Sequence, residues 1–363
     1  MLQYKEVNES LLRTPNSGGF QLLGLADFPG QGSAFVGILD AFWESKGLVS
    51  PEKYRESCGP TVLLARLPRR TFTNNESCTV RMDIYHYGER PLKQGNVEWE
   101  LKNSDGHTVR RGTFRIPDIA CATVDSLGSI RLDFSDIDRA DKLTLHATLH
   151  GTYHNEWDIW VYPEQQHTVE GDYFYARKYD EQVWTALAQG RKVLLVPQDA
   201  PGRKTRFASH FWNPIMFNWA PMIVGTLIDE DHPAFRLFPT DSYADWQWWD
   251  ILNHAVAMEL GELSQLTPVI QSIDTYEENH KLGIAFEAKV GKGSLFVLCA
   301  DAEKDIENRP AMKQLLRSVR SYVASDEFSP ACEVKMHQLD RLFEPTTHSQ
   351  QEENEAIKLL LNR

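Results

Sequence analysis

Three histidines, His146, His150 and His154, stand four residues apart and are the first arrangement in the chain that suggests chemistry. Imidazoles are the commonest metal ligands. On one strand the three would share a face opposite Leu145 and Leu149, because side chains alternate with period two. Four strand residues nevertheless span about 13 Å, too far for one ion, so a solvated face is expected and no metal site. Cys58, Cys78, Cys121, Cys299 and Cys332 form no C-x-x-C pair and suit neither zinc nor a dense disulfide scaffold. Small buried hydrophobes are the expectation for them. Gly30-Gln31-Gly32 is a weak match to a phosphate-binding turn, and Asp27 just ahead would repel phosphate. Neither GxxxxGK(S/T) nor HExxH occurs, and no cofactor is expected. Phe211, Trp212, Phe217, Trp219, Trp246, Trp248 and Trp249 crowd the stretch from Arg203 to Asp250. Aromatic faces can stack on sugar rings, but large aromatics more often serve as core or interface anchors.

The elements that must position these residues belong to a chain of 363 residues, long enough for two or three domains. A hydrophobic share of 42% is that of a globular protein. The formal net charge of −13 disfavours nucleic acid and anionic membrane as partners and suits a neutral ligand. No apolar run is long enough to cross a bilayer. The start, Met-Leu-Gln-Tyr-Lys-Glu, lacks the apolar core of a signal peptide. The chain as given is expected to be soluble; if an upstream portion is missing, an export signal would be missing with it.

Residues 1–57 read as a helix end at Tyr4 to Leu12, a breaker at Thr14 to Gly19 and a short buried strand at Phe20 to Leu25. A loop with Asp27, Pro29, Gly30 and Gly32 follows. One such unit cannot bury its own faces and needs neighbours, which this chain is not expected to supply, so the helix at Tyr4 to Leu12 is expected to have no preceding element to pack on. Residues 58–163 alternate with period two: Val80, Met82, Ile84; Val97, Trp99, Leu101; Ile130, Leu132, Phe134; Leu143 to Leu149; Trp157, Ile159, Val161. Asp105-Gly106 is a hairpin signal between two runs. The pattern predicts an antiparallel β-sandwich of immunoglobulin-like size, with Trp99 and Leu145 inside. Residues 164–330 read as an α/β layer domain. Asp180 and Gly190 bracket an amphipathic helix, and Val193–Val196 and Leu295–Cys299 are strands buried on both faces, predicted parallel and close together. Pro310 opens a helix with Met312, Leu315, Leu316, Val319 and Val323 on one stripe. Residues 331–363 read as a tail with a short helix at Glu355 to Leu361.

The run Gly19-Phe20-Gln21-Leu22-Leu23-Gly24-Leu25-Ala26-Asp27-Phe28-Pro29-Gly30-Gln31-Gly32 resembles the last barrel strand and following loop of family 2-like glycoside hydrolases from gut bacteria. Gly37-Ile38-Leu39-Asp40-Ala41-Phe42-Trp43-Glu44-Ser45-Lys46-Gly47 continues the match. The resemblance implies a multidomain α and β chain. Residues 1–57 would be the remnant of a (β/α)8 barrel, 58–163 an immunoglobulin-like sandwich and 164–330 a domain like class I glutamine amidotransferases. It implies an exo-acting enzyme on a β-linked sugar, β-galactosidase-like, whose catalytic glutamates lie on earlier barrel strands and so upstream of this chain. Such relatives are expected in the periplasm or secreted.

Barrel active sites form at the C-terminal ends of the strands, so the resemblance puts Asp27, Phe28 and Gln31 at a sugar-facing rim. The alternative is that Asp27 caps a turn and Phe28 is core. Glu44 matches neither carboxylate role of a glycosidase. The turn after Val193–Val196, Pro197-Gln198-Asp199-Ala200, lacks the nucleophile an amidotransferase needs, and Cys299 should be buried and inert. Two functional classes follow: a C-terminal accessory part of a glycosidase, inactive alone and working on carbohydrate with an upstream barrel, or a non-enzymatic carbohydrate-binding or assembly protein. Self-association through the α/β domain is implied by analogy with trimerising domains of other galactosidases.

Overall fold

The structure, a computed structural model, describes residues 1–17, 19–22, 24–28, 36–165, 171–207, 223–274 and 278–344. It divides into two units, Met1–Glu164 and Gln165–Arg363. Sheets dominate, helices are interspersed, and no closed barrel is present among the described residues.

Unit 1 begins with helices α1 (Leu2–Leu12) and α2 (Pro51–Arg55). Eight strands follow: β1 (Thr61–Arg66), β2 (Thr71–Thr73), β3 (Ser77–His86), β4 (Gly95–Lys102), β5 (Thr108–Ile116), β6 (Thr123–Asp133), β7 (Asp141–Leu149) and β8 (Tyr153–Tyr162). They form a three-stranded sheet, β1-β3-β6, and a five-stranded sheet, β2-β8-β7-β4-β5. Alternation explains both. Val80, Met82, Ile84, Ile130 and Leu132 of the first sheet share one core with Val97, Leu101, Leu143, Leu145 and Trp157 of the second. Leu145 is fully buried, whereas Trp99 packs half-buried at the margin of that core. The β4–β5 hairpin turns through Asp105-Gly106, with Gly106 at φ 79°, where only a residue without a Cβ is unstrained.

Two expectations for the N-terminal stretch are corrected. Phe20 to Leu25 is not a strand in its described residues; Phe20 instead packs beside Leu12, Val62 and Leu64. The sheet-like contacts among the described residues here are two isolated bridges, Ala26 to Leu39 in parallel and Leu39 to Ser45 in antiparallel sense, and Gly24 at φ 86° breaks extended backbone just before the first. Nor does α1 lack a neighbour. Its Glu9 is buried and accepts hydrogen bonds from Trp157 Nε1 at 2.8 Å and Asn155 Nδ2 at 2.9 Å. Lys5 pairs with the same carboxylate, and Arg13 Nη1 stands 3.8 Å from it. Sequence patterning missed this because the helix docks through a carboxylate and Leu12, not an apolar stripe.

On the same helix Glu6 accepts from Arg13 Nη2 at 2.6 Å and Arg70 Nη2 at 2.8 Å. Burial pushes its carboxyl up, but Arg70 and Arg13 outweigh this and leave the pKa below the usual 4.5. The folded value lies below the unfolded one. The contribution to stability is therefore present above the unfolded pKa and lost as pH falls through the folded value. A Glu6→Gln chain is expected to be less stable than the parent at neutral pH, with the gap closing in acid. Urea midpoints measured across that range check it; a gap that stays constant with pH would argue against the linkage.

Unit 2 contains β9 (Phe174–Ala176), α3 (Glu181–Ala188), β10 (Lys192–Leu195), β11 (Arg203–Lys204) and β12 (Ile223–Ile228). It continues with α4 (Trp248–Asn253), β13 (Val256–Glu259), β14 (Ile270–Asp274), β15 (Lys281–Val290) and β16 (Gly293–Leu298). Helix α5 (Pro310–Ala324), β17 (Glu333–Val334) and α6 (Met336–Leu342) complete it. Strand β10 lies between β16 and β9, parallel to both, with Val193 opposite Leu295. Asp180 caps α3 by accepting from Gln182 N at 3.0 Å. The α5 stripe of Met312, Leu315, Leu316, Val319 and Val323 is buried.

Much of this sheet differs from a parallel α/β layer. Strands β11, β13, β14 and β12 join through antiparallel pairings, and β15 and β16 form a hairpin around Gly291 at φ 59°. Residues read as the start of a tail instead supply β17, parallel to β15, and α6, whose Leu339 is fully buried in the unit's core. The helix expected at Glu355 to Leu361 lies outside the described residues.

Candidate functional site

Asp27 sits at the Ala26–Leu39 bridge, and one oxygen of its carboxylate is used inside the chain. Oδ1 accepts from Gly37 N at 2.8 Å and Lys46 Nζ at 2.6 Å, and Lys46 Nζ also donates to Gly37 O at 3.0 Å. Gly37 is required by this close approach: a Cβ there would lie 2.3 Å from Asp27 N. The clip is tied to α1 by Tyr4, whose hydroxyl donates to Val36 O at 2.7 Å. Asp27 thus has the turn-holding contacts of a structural carboxylate. Phe28 is half-exposed rather than core, and Gln31 lies outside the described residues.

A second carboxylate builds the next turn. Asp40 Oδ1 accepts from Phe42 N at 2.8 Å and Glu44 N at 2.9 Å, and Asp40 N donates to Glu44 O. The geometry places Trp43 at φ 68°, a left-handed conformation that costs a bulky residue about 1–2 kcal/mol. It also turns the aromatic pair outward. Phe42 is 84% exposed and Trp43 68%, alongside Leu25, Phe28 and Leu48, each more than two-fifths exposed. Isolated exposed apolar residues are ordinary, whereas here five large ones fall within one short segment.

The remaining candidates separate in space or in chemistry. Strand β7 ends at Leu149, so His150 stands in the turn at φ 55° and its Nε2 meets Lys93 O at 3.0 Å. His146 Nδ1 is 3.0 Å from Glu156 Oε2, and His154 Nδ1 is 3.1 Å from Thr148 Oγ1. The structure does not bring the three together. Cys299 is buried in the sheet, and burial pushes its thiol far up. That makes it a poor nucleophile. Of the aromatic-rich stretch, Phe211, Trp212, Phe217 and Trp219 lie outside the described residues. Trp248 is core, with Nε1 donating to Thr240 Oγ1 at 2.9 Å, Trp246 stacks at a tilt on Phe207, and Trp249 is half-exposed.

Sequence reasoning missed one polar cluster in unit 2. Asp274, Glu278 and His280 bring ligand-type atoms within 4.8 Å of one another, as a metal site would. Their positive charge is already supplied. Arg203 reaches Asp274 Oδ1 at 3.0 Å, Glu278 Oε2 at 2.5 Å and Glu259 Oε1 at 3.3 Å, and Nη2 meets His280 Nδ1 at 2.9 Å. A guanidinium in the middle of the carboxylates answers their charge and fills the place an ion would take. No spacing in the sequence joins Arg203 to residues some seventy positions away.

Residues 174–344 match the family described as "Domain of unknown function (DUF8487)", and residues 76–163 match "Domain of unknown function (DUF8488)". No curated protein matches. Among solved structures, similarity is seen to an alkylpurine DNA glycosylase of Pseudomonas fluorescens. It has 10% identity and a TM-score of 0.23 over 28% of this chain and 30% of that one. A β-glucosidase of Erythrobacter marinus gives 13% and 0.23 over 28% and 15%. A β-glucuronidase of Parabacteroides merdae gives 10% and 0.20 over 38% and 21%. The chain thus spans less than a third of each of these proteins. Likenesses this slight define neither a shared fold nor a shared function.

Proposed function

We propose that this chain is the non-catalytic C-terminal part of a glycoside hydrolase acting on β-linked glycans, β-galactosidase-like, whose catalytic carboxylates are carried on polypeptide outside it. In this reading residues 1–57 are the end of a (β/α)8 barrel, with Asp27, Phe28 and Gln31 at its sugar-facing rim. The two-sheet body is of immunoglobulin type, and unit 2 is a non-catalytic relative of class I glutamine amidotransferases. The observation that carries the proposal is the outward-facing set Leu25, Phe28, Phe42, Trp43 and Leu48. A segment held this firmly by Asp27 and Asp40, yet leaving its large apolar groups in water, suits docking against a second body. The runs Gly19–Gly32 and Gly37–Gly47, which resemble a barrel end of family 2-like glycoside hydrolases, support a barrel as that body.

Cleaving a glycosidic bond needs one carboxyl group to protonate the leaving oxygen and another opposite it. Asp27 and Asp40 are engaged in holding turns. General acid catalysis alone is worth about 10²–10⁴-fold, so without the pair nearly all useful rate is gone. The purified chain is expected to show no turnover on a panel of aryl β-glycosides, and turnover is expected only when the upstream barrel is supplied. Robust turnover by the chain alone, abolished by Asp27→Asn, would overturn the proposal and make Asp27 catalytic.

A further inference from the structure

The outer face of the five-stranded sheet carries a cavity of about 780 Å³ over β4, β5 and β7, within the size range of small-ligand sites. Alternation decides what lines it. Val97 and Leu101 point into the core, so Glu98, Glu100 and Lys102 point out. On β5, Thr113 pairs with Glu98 and Arg111 with Glu100; on β7, Thr148 pairs with Glu98 and His146 with Glu100. Trp99 and Gly112 belong to the opposite face. There the indole lies over the glycine so closely that a Cβ on Gly112 would be 2.7 Å from it.

The chemistry of this lining selects its ligand. Two carboxylates, Glu98 and Glu100, face two cations, Lys102 and Arg111, so neither a polyanion nor a polycation is drawn in by a net field. Trp99 and Gly112 also border the cavity, but the side chains that alternation turns toward it are polar or charged, and a protein partner would lack the desolvated centre on which interfaces are built. What fits is an uncharged ligand that donates and accepts hydrogen bonds at closely spaced points. Hydroxyls do both, whereas carboxylates only accept and guanidinium and ammonium only donate. Lys102 is paired with Glu100 at 3.3 Å and His146 with Glu156. The side chains of Glu98, Arg111 and Thr113 make no hydrogen bond or ion pair among the described residues; only their backbones are engaged, in the sheet. Their groups are open to a ligand, within reach of one another across two strands.

We propose that this groove is a non-catalytic binding site for a neutral oligosaccharide, with Glu98 accepting from its hydroxyls and Arg111 and Thr113 donating to them. The site is distinct from the docking segment, and its chemistry stands whether or not a barrel docks there.

Isothermal titration of the full chain with galactotetraose, cellotetraose and xylotetraose, and with trigalacturonate as the anionic comparison, tests it. At least one neutral tetrasaccharide is expected to bind saturably. Arg111→Ala and Glu98→Gln are each expected to weaken that binding about ten-fold or more, as loss of a hydrogen bond to a charged group does. Arg139→Ala, on a loop outside the cavity, is expected to leave it unchanged. Both groove positions are exposed, so the variants are expected to unfold at the parent's temperature. Binding to none of the neutral probes overturns the proposal, as does binding that neither groove substitution affects. Preference for trigalacturonate, weakened by salt, overturns the neutral assignment. The titration needs no catalytic partner, so a failed reconstitution of hydrolysis and a failed titration are separate results.

Discussion

Replacing Glu9 with alanine is expected to destabilise unit 1 by about 3–5 kcal/mol, the range found when one member of a buried charged pair is removed. The carboxylate is fully buried and serves the indole of Trp157, the amide of Asn155 and the ammonium of Lys5 together. Removing it leaves buried donors without acceptors, each at a cost of about 1–3 kcal/mol, and takes away the charge that answers Lys5. Domains are stable by only about 5–15 kcal/mol, so the loss is a large share of the total. Glu9→Gln keeps an acceptor for Trp157 and is expected to lose less. Urea unfolding followed through tryptophan fluorescence measures both. A loss below about 1 kcal/mol for the alanine variant would mean that α1 is not anchored as the structure has it.

The second large effect is expected at Arg203. Asp274 beside it has a side chain only 1% exposed and Arg203 itself 12%. Arg203→Met should cost unit 2 about 3–5 kcal/mol by leaving that carboxylate without its cation. The same substitution has a second consequence that a packing role alone would not produce. With the guanidinium gone, Asp274, Glu278 and His280 become a set of oxygen and nitrogen ligands that has lost the arginine in its middle. Zinc is expected to raise the melting temperature of the variant and to leave the parent unchanged, because an ion bound only by the folded state stabilises it by mass action. Equal responses of the two proteins to zinc would show that Arg203 does not occupy an ion's place.

Much of the secondary structure was legible where burial is one-sided and periodic. Val80, Met82 and Ile84 announce β3, Asp105-Gly106 announces the β4–β5 hairpin, and the continuous runs at Val193 and Leu295 announce strands covered on both faces. Strands β13, β14 and β15 were not legible. Ile284, Ala285 and Phe286 are buried in succession, and such a run carries no period that tells its pairing partners. The polar architecture was the least legible. Glu9, Asn155 and Trp157 form one cluster from positions almost 150 residues apart, and each alone reads as an ordinary surface or sheet residue. Of the candidate site, the sequence marked Asp27 and its loop. It did not show that Asp27 would be taken up by Gly37 and Lys46, since that depends on how the chain doubles back. The outer groove was equally hidden, because strand register, not composition, sets Glu98 beside Thr113 and Glu100 beside Arg111.

The attachment of α1 to β8 also sets an order of events during synthesis. The acceptor on Glu9 and the donors on Asn155 and Trp157 are separated by 146 and 148 positions, so α1, once outside the ribosome, waits for the last strand of its unit. At about 5–20 residues per second, that wait is roughly 7–30 s. Throughout it the nascent helix holds a charged group with only Lys5 of its first turn and Arg13 at its C-cap to neutralise it. Until β1 emerges, Leu12 has only Phe20 of this cluster for apolar cover. Closure of unit 1 is therefore a late, non-local step, and slow growth of the chain past Tyr153 would prolong the interval in which chaperones and proteases compete with it.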